Sequence, residues 1–451
     1  MNTYEQDLKL SIDIAHAVHK NGGRAMYVGG MIRDEFLGLT SKDIDLEIYG
    51  ITPDTLKCIL SKFGKIQQKG TSFGVYGIEH SNIDIAMPRR EHKIGTKHTD
   101  FDVSIDPFMS FHDATIRRDL TINAMMKDVI TGEIIDLWNG QDDLRNKTIK
   151  HINTATFAED PLRVFRVAQF SARFDAKIAE ETLQLCRNID VTTVTKERIF
   201  EELSKALLKS ERPSIFFTSL RQMDHLKEFF PELQACINTP QNPKYHPEGN
   251  VFEHTMLVLD YASQLKNQAK EPLFFMLSAL FHDIGKPIAT TTKDDGTIIS
   301  YEHDTEGVPV CEKQLLRITN NTKLIKYVTN MVLMHMRPNK LAMDKSRKKK
   351  TREMFDNSVC PEDLILLSKA DDMGRKNAHY NKEQEIFLRD RLNDYYQTIK
   401  QPMITGQDLI NAGLTPGPNF SEILKRGRKL IFAGLDHDKA LKQIIHENKT
   451  T

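Results

Sequence analysis

The stretch that leaves this chain least freedom runs from Val28 to Gly50, VGGMIRDEFLGLTSKDIDLEIYG. Its second half, Asp43-Ile44-Asp45-Leu46-Glu47-Ile48, alternates acidic and apolar side chains, which is the two-residue period of a strand. Asp43, Asp45 and Glu47 therefore share one face. Two carboxylates at i and i+2 on a rigid strand suit the task of holding two divalent ions about 4 Å apart. Upstream, the apolar lead-in Ala25 to Val28 runs into Gly29-Gly30, and Arg33-Asp34 follow. A glycine pair lets a backbone turn come close to a phosphate chain, and Arg33 can neutralise it.

Around this stretch, the spacing of Leu8, Ile12 and Ala15 predicts a helix over residues 4–22, and Pro53 to Phe63 reads as another. VYGIEH and NIDIAMP read as strands, and Asp84 on the second could join the carboxylate face or point to solvent. Residues 88–116 lack periodicity and read as a long surface loop. Next, Arg117-Arg118-Asp119-Leu120-Thr121-Ile122-Asn123 sets two phosphate-binding forks and a ribose-bonding amide in an apolar frame, although a capped helix with Arg–Asp pairs would use the same residues. A hairpin is expected at Lys127 to Leu137, turning at Thr131-Gly132. In Glu159-Asp160-Pro161-Leu162-Arg163-Val164-Phe165-Arg166, proline suits a first helical turn and Arg163 and Arg166 become i, i+3 neighbours near Asp160. Lys196 to Leu203, KERIFEEL, reads as a charged helix whose role could be purely structural.

In this order VGGMIRD…DID, RRDLTINAM, EDPLRVFR and ERIFEEL resemble the class II tRNA nucleotidyltransferases (CCA-adding enzymes) and bacterial poly(A) polymerases, members of the polymerase-β-like superfamily. The resemblance covers roughly the first 235 residues. It implies an α+β chain: a mixed-sheet palm over 1–150, a helical neck and body over 151–240, then further helical domains. It also implies that Asp43 and Asp45 are the catalytic carboxylates that bind two Mg²⁺. Gly29, Gly30, Arg33, Arg118, Asp119 and Asn123 would hold the nucleotide, while Asp160 and Arg163, supported by Arg166, would read its base. The family uses a mobile loop at about 88–116 in nucleotide choice. The base-reading pair makes chemical sense, because cytosine and adenine both present an amino donor beside a ring-nitrogen acceptor. A carboxylate takes the first and a guanidinium serves the second, whereas uracil and guanine would turn a carbonyl toward Asp160, a mismatch of roughly 1–3 kcal/mol.

The texture changes after Pro240. A proline-punctuated stretch leads to His254, an apolar run from Leu273 ends in His282-Asp283-Ile284-Gly285-Lys286, and His303, His335 and Asp371-Asp372 follow. The order His254, His282-Asp283, Asp371 is similar to the HD superfamily of metal-dependent phosphohydrolases. That likeness implies an HD domain over 241–400 with those four residues on a transition metal of the Ni, Mn or Fe class. His303 and His335 match positions that hold a second metal in some HD proteins, and Asp372 competes with Asp371. A helical tail over 401–451 completes the division. The basic run DKSRKKKTR at 344–352 is either a solvated face or an RNA contact.

Lys+Arg and Asp+Glu balance at 62 each, so an RNA partner must be met by a local surface. Five scattered cysteines without a CxxC argue against a disulfide framework, and the polar N-terminus lacks an apolar leader. The expectation is a cytoplasmic enzyme that uses ATP, CTP and tRNA and no membrane. Its rivals are an A-adding or CC-adding sibling, a poly(A) polymerase, or an HD phosphohydrolase whose first domain only binds RNA.

Overall fold

The alternation at Asp43–Ile48 becomes strand β2 (Ile44–Tyr49), the middle of a seven-stranded mixed sheet. The computed structural model describes residues 3–39, 43–69, 74–93, 101–376 and 381–449. Helix α1 (Thr3–Lys20) precedes β1 (Arg24–Val28), and α2 (Gly30–Phe36) starts directly after Gly29. Helix α3 (Pro53–Leu60) is capped by the Thr52 side chain, which accepts from the Thr55 amide, with proline in the first turn. Strands β3 (Ile66–Lys69), β4 (Val75–Ile78) and β5 (Ile83–Ala86) follow, and the sheet is completed by β8 (Met126–Asp128) and β9 (Ile134–Ile135) in the order β3-β4-β5-β2-β1-β8-β9. Among the described residues of this sheet only β2 and β5 pair in parallel, with Asp45 opposite Asp84. The expected hairpin at Thr131-Gly132 is the antiparallel β8–β9 pair, and Gly132 takes the positive φ of 72° that its turn requires.

The even positions of β2, Ile44, Leu46 and Ile48, are fully buried against Ile14, Leu56, Ile59, Ile83 and Ile85. Each such side chain contributes about 1.5–3 kcal/mol through removal from water, so a one-residue slip of β2 would forfeit the whole row. Hydrophobic burial therefore fixes which face carries the carboxylates.

Residues 88–116 depart from the expected loop. They contain an antiparallel pair, β6 (Arg89–Lys93) with β7 (Phe101–Ile105), followed by α4 (Phe111–Ile116). The strand RREHK has no apolar residue, so only β7, where Phe101, Val103 and Ile105 alternate with polar residues, marks the pair in the sequence, and the pair forms a sheet of its own. Residues 94–100 lie outside the described residues.

By internal contacts the chain divides into two units, Met1–Leu203 with Ile215–His225, and Ser204–Ser214 with Leu226–Thr451. The second unit is built on helices. Val251–Leu265, Pro272–Phe281, His303–Ile318, Thr322–Met334 and Pro361–Met373 pack around a core that includes Phe252, Phe275, Phe281 and Leu364. At the C-terminal end, Gly406–Asn411 starts with a capping box between Thr405 and Asp408. With Phe420–Phe432 and His437–Lys449 it closes a small core of Leu409, Ile423, Ile431 and Ile444. The basic run is partly spent on structure, since Lys348 and Arg352 both pair with Asp394. All five cysteines are free. No described helix is long and apolar enough to cross a membrane.

Candidate functional site

In the first unit, the turn from β1 into α2 and the segments 118–123 and 160–170 enclose a cavity of about 550 Å³. Gly29, Gly30, Arg33, Arg118, Asp119, Asn123, Asp160, Arg163 and Arg166 all line it, together with Leu162, Phe170 and Arg198. Five arginines face two aspartates there, an environment that favours an anion. Asp45 approaches the same place from the sheet, because a Cβ built on Gly29 would lie 3.4 Å from its Oδ2. Gly29 has a φ of 73°, so the turn needs glycine for its backbone as well as for the approach.

The arginines are held in distinct ways. Arg33 is buried, donates to Asp34 and to Asn123 Oδ1 at 2.6 Å, and lies 5.1 Å from the ring centres of both Phe170 and Phe174. Burial, more than the opposing pull of Asp34, moves it below the usual guanidinium range. Asn123 donates to Asp119, which accepts from Arg166 Nε at 2.7 Å. Burial alone would raise the Asp119 carboxyl, but Arg166 and Asn123 hold it below the ordinary value. Arg163 uses its fork on two backbone carbonyls, those of Thr156 and Arg117, both at 2.7 Å. It therefore does not pair with Asp160. The partner of Asp160 is Arg198, in a bidentate contact at 3.1 and 2.8 Å.

Arg198 was legible only as part of a charged helix, Lys196–Lys209. Glu47 is the second residue whose role the sequence concealed. The alternation puts it on the carboxylate face, yet it is buried, accepting from the Tyr49 hydroxyl at 2.8 Å and from Arg118 at 3.2 Å, with Arg117 at 3.9 Å. Its oxygens are thus taken by Tyr49 and the arginines; Asp43 is exposed and Asp45 half-buried, with Asp84 in register beside it, and carboxylate oxygens of this kind suit a hard divalent cation.

The second unit holds a buried histidine–carboxylate cluster. His254 Nε2 lies 3.0 Å from Asp371 Oδ1, and His282 Nε2 lies 3.2 Å from Asp283 Oδ2 and 3.7 Å from Asp371. The other oxygen of Asp283 faces His303 Nε2 at 3.2 Å and His335 Nε2 at 3.6 Å. Asp283 thus stands between two groups of donors, and Asp371 rather than Asp372 completes the first. The Nδ1 atoms of His282, His303 and His335 lie 2.7–2.8 Å from the carbonyls of Ala279, Ser300 and Val332. Carbonyls only accept, so each ring carries its proton on Nδ1 and turns the Nε2 lone pair inward, the tautomer a metal requires. His254 is oriented through Nδ1 by Glu248 at 2.8 Å, which also meets His246 at 3.0 Å. Glu248 and His246 were not singled out as site residues, because the proline-rich stretch that carries them reads as a linker.

His282 Nε2 is buried without a hydrogen-bond partner. An orphaned lone pair beside two carboxylates fits a transition-metal ion. Burial would raise Asp283 and Asp371, but Lys286 with His282 holds the first, and His254 with His282 the second, well below the carboxylate range. Lys286 Nζ is 2.6 Å from Asp283 Oδ2 and 2.7 Å from Gln241. The approach of the helix His303–Ile318 depends on Gly285, where an added Cβ would lie 2.6 Å from the Gly307 backbone and collide with the His303 carbonyl.

A palm-like mixed sheet with an arginine-lined cavity, joined in one chain to a helical HD cluster, defines the class as a nucleotidyltransferase with an HD domain. Residues 25–150 match the family model of the Poly A polymerase head domain, 176–237 the probable RNA and SrmB-binding site of polymerase A, and 251–375 the HD domain. The chain belongs to the multifunctional CCA protein family. It is 36% identical to the Multifunctional CCA protein of Haemophilus ducreyi over 78% of this chain and 86% of that protein. It is 33% identical to the one of Hahella chejuensis over 89% and 93%. Among solved structures, the Thermotoga maritima CCA-adding enzyme complexed with tRNA shares the fold, with a TM-score of 0.62 and 20% identity over 97% of this chain and 95% of that one. CCA-adding enzymes solved with ATP and with CTP share it as well.

Proposed function

We propose that this protein adds C, C and A in turn to the 3′ end of tRNA, taking CTP and ATP and releasing pyrophosphate. The observation that carries the reading is the single cavity that gathers all nine nucleotide-binding candidates beside the Asp45 face. Arg33 and Arg118 take the triphosphate, and Asn123 orients toward the sugar. Asp160, steered by Arg198, accepts from the amino group shared by cytosine and adenine, and Arg163 serves the ring nitrogen. Mg²⁺ ions at Asp43 and Asp45 would, when bound, favour ionisation of the attacking 3′-hydroxyl and steady the departing pyrophosphate. Residues 1–150 act as the palm, 151–240 as the neck and body, 241–400 as the HD domain and 401–451 as a tail.

The HD cluster is, in this reading, a second centre that hydrolyses phosphoesters with a Ni, Mn or Fe class ion on His254, His282, Asp283 and Asp371. The inward-facing Nε2 atoms support it.

The test uses tRNA transcripts that end before CCA, after C and after CC, with labelled CTP, ATP or both and Mg²⁺. Three additions that stop at CCA are expected. Addition of A alone, or of C alone, would indicate a specialist, and a long A ladder poly(A) synthesis. Asp45→Ala should lower incorporation by at least about 10³-fold, since metal stabilisation is worth several kcal/mol. Survival of transfer in that variant would overturn the metal assignment.

A further inference from the structure

The helix Leu162–Phe174 reaches the nucleotide cavity at more than one point. Its residues Arg163, Arg166 and Phe170 line the cavity, and a turn further on come Arg173 and Phe174. The spacing puts all five on one helical face, which spans about 15 Å at 1.5 Å per residue. Arg173 and Phe174 lie outside every motif that marks the site in the sequence. Both nevertheless meet the arginine turn that follows β1. Arg173 donates through Nη2 to Asp34 Oδ2 at 3.1 Å. The other oxygen, Asp34 Oδ1, accepts from Arg33 Nε at 2.9 Å and from Arg33 Nη2 at 2.8 Å. The guanidiniums of Arg33 and Arg173 each lie 5.1 Å from the centre of the Phe174 ring, which stacks with Phe170.

Arg33 is therefore oriented before any ligand arrives. Of its five N–H donors two go to Asp34 and one to Asn123 Oδ1, which leaves one on each Nη for phosphate oxygens. Gly30 makes room for this arrangement, since an added Cβ would lie 3.0 Å from Arg33 Nη2. Asp34 is the pivot. It is buried, and with two guanidiniums on one carboxylate the group keeps a net positive charge beside the cavity. Without Arg173, Oδ2 would be left buried and unpaired, so Asp34 would turn to find a partner and draw Arg33 with it.

We propose that Arg173 is a positioning residue for the triphosphate: acting through Asp34 and braced on Phe174, it holds the Arg33 fork toward the phosphate chain. One helix then grips the nucleotide at both ends, the base directly through Arg163 and the phosphates at one remove through Arg173. The inference deepens the nucleotidyltransferase reading and rests on it. Its grip is blind to the base, because CTP and ATP carry the same triphosphate.

The test uses the full chain and two readouts. Steady-state kinetics are taken with CTP on tRNA that ends before CCA and with ATP on tRNA that ends after CC. Separately, inorganic tripolyphosphate is titrated by calorimetry at fixed free Mg²⁺, which requires no transfer. Arg173→Ala should raise both KM values and the tripolyphosphate Kd by one common factor, about tenfold, with kcat within about threefold of wild type. Arg173→Lys, which keeps a cation for Asp34, should recover most of the loss. Arg173→Met keeps the stem without the charge and should be as harmful as Ala. Arg198→Ala, on the base side, should leave tripolyphosphate affinity unchanged. A fall in kcat at unchanged tripolyphosphate affinity, or full recovery by Met, would overturn the proposal and leave the nucleotidyltransferase reading standing. If the wild type incorporates no nucleotide while Arg173→Ala still weakens tripolyphosphate tenfold, that reading falls and Arg173 remains the anchor of an anion site.

Discussion

The two centres of this chain solve the problem of handling phosphate by opposite means. The nucleotidyl cavity is open, about 550 Å³, and lined by five arginines whose charge is permanent. Its carboxylates Asp43 and Asp45 stand at the start of the central strand β2, exposed and half-buried, a setting suited to a hard, exchangeable cation. The HD cluster is buried, with His254, His282 and His335 wholly out of solvent. Its carboxylates are held ionised and its rings turn Nε2 inward, so its charge would be set by any cation it takes. The first site is preorganised by salt bridges between side chains, the second by histidine rings tied to backbone carbonyls.

That contrast can be broken most severely at His282. Replacement by Ala should weaken metal retention by more than about 100-fold, the upper end for changes around a metal ligand, while CCA addition continues at the wild-type rate. Metal content after dialysis, measured beside incorporation, decides it, and equal retention by the variant would mean that the cluster is structural. A smaller effect is expected at Arg198. Without its fork Asp160 is free to swing, so Arg198→Ala should raise KM for both CTP and ATP by about 10- to 100-fold and relax exclusion of UTP. Steady-state kinetics with all three nucleotides test this, and a change in kcat alone would move Arg198 out of base reading. The mildest effect belongs to Glu47. Glu47→Leu should raise nucleotide KM about tenfold by loosening Arg118, while Glu47→Gln, whose amide oxygen still accepts, should stay within about threefold. If Gln is as harmful as Leu, the charge of Glu47 matters and its role as a hydrogen-bonded anchor is wrong.

What the sequence revealed follows the same divide. In the first unit the site is carried by contiguous motifs, so nine residues could be named and all nine line one cavity. The misses are pairings between motifs. Nothing in the spacing of Asp160 and Arg198 says that they meet, and alternation reports which face Glu47 takes but not that Tyr49 and Arg118 close over it. Half of the β6–β7 pair was legible: FDVSI alternates as a strand does, but its partner RREHK has no apolar face for a period-two reading. In the second unit the ligands are spread from His254 to Asp371, and only helix packing brings them together. The choice between Asp371 and Asp372 is a matter of helix rotation, about 100° per residue, which no local signal fixes. Glu248 was hidden because prolines around it suggested a connection rather than a wall of the site.

Gly285 and Gly307 have a consequence beyond packing. Because the loop after Asp283 and the helix from His303 touch backbone to backbone, the separation between the two halves of the cluster is set by the absence of two side chains. A single methyl at Gly285 would wedge that contact and carry His303 away from Asp283 while leaving His254, His282 and Asp371 in place. Whether His303 can join Asp283 in one donor group is thus set at a position that itself offers no donor. A lineage could change it by one substitution in a residue that no inventory of ligands would include.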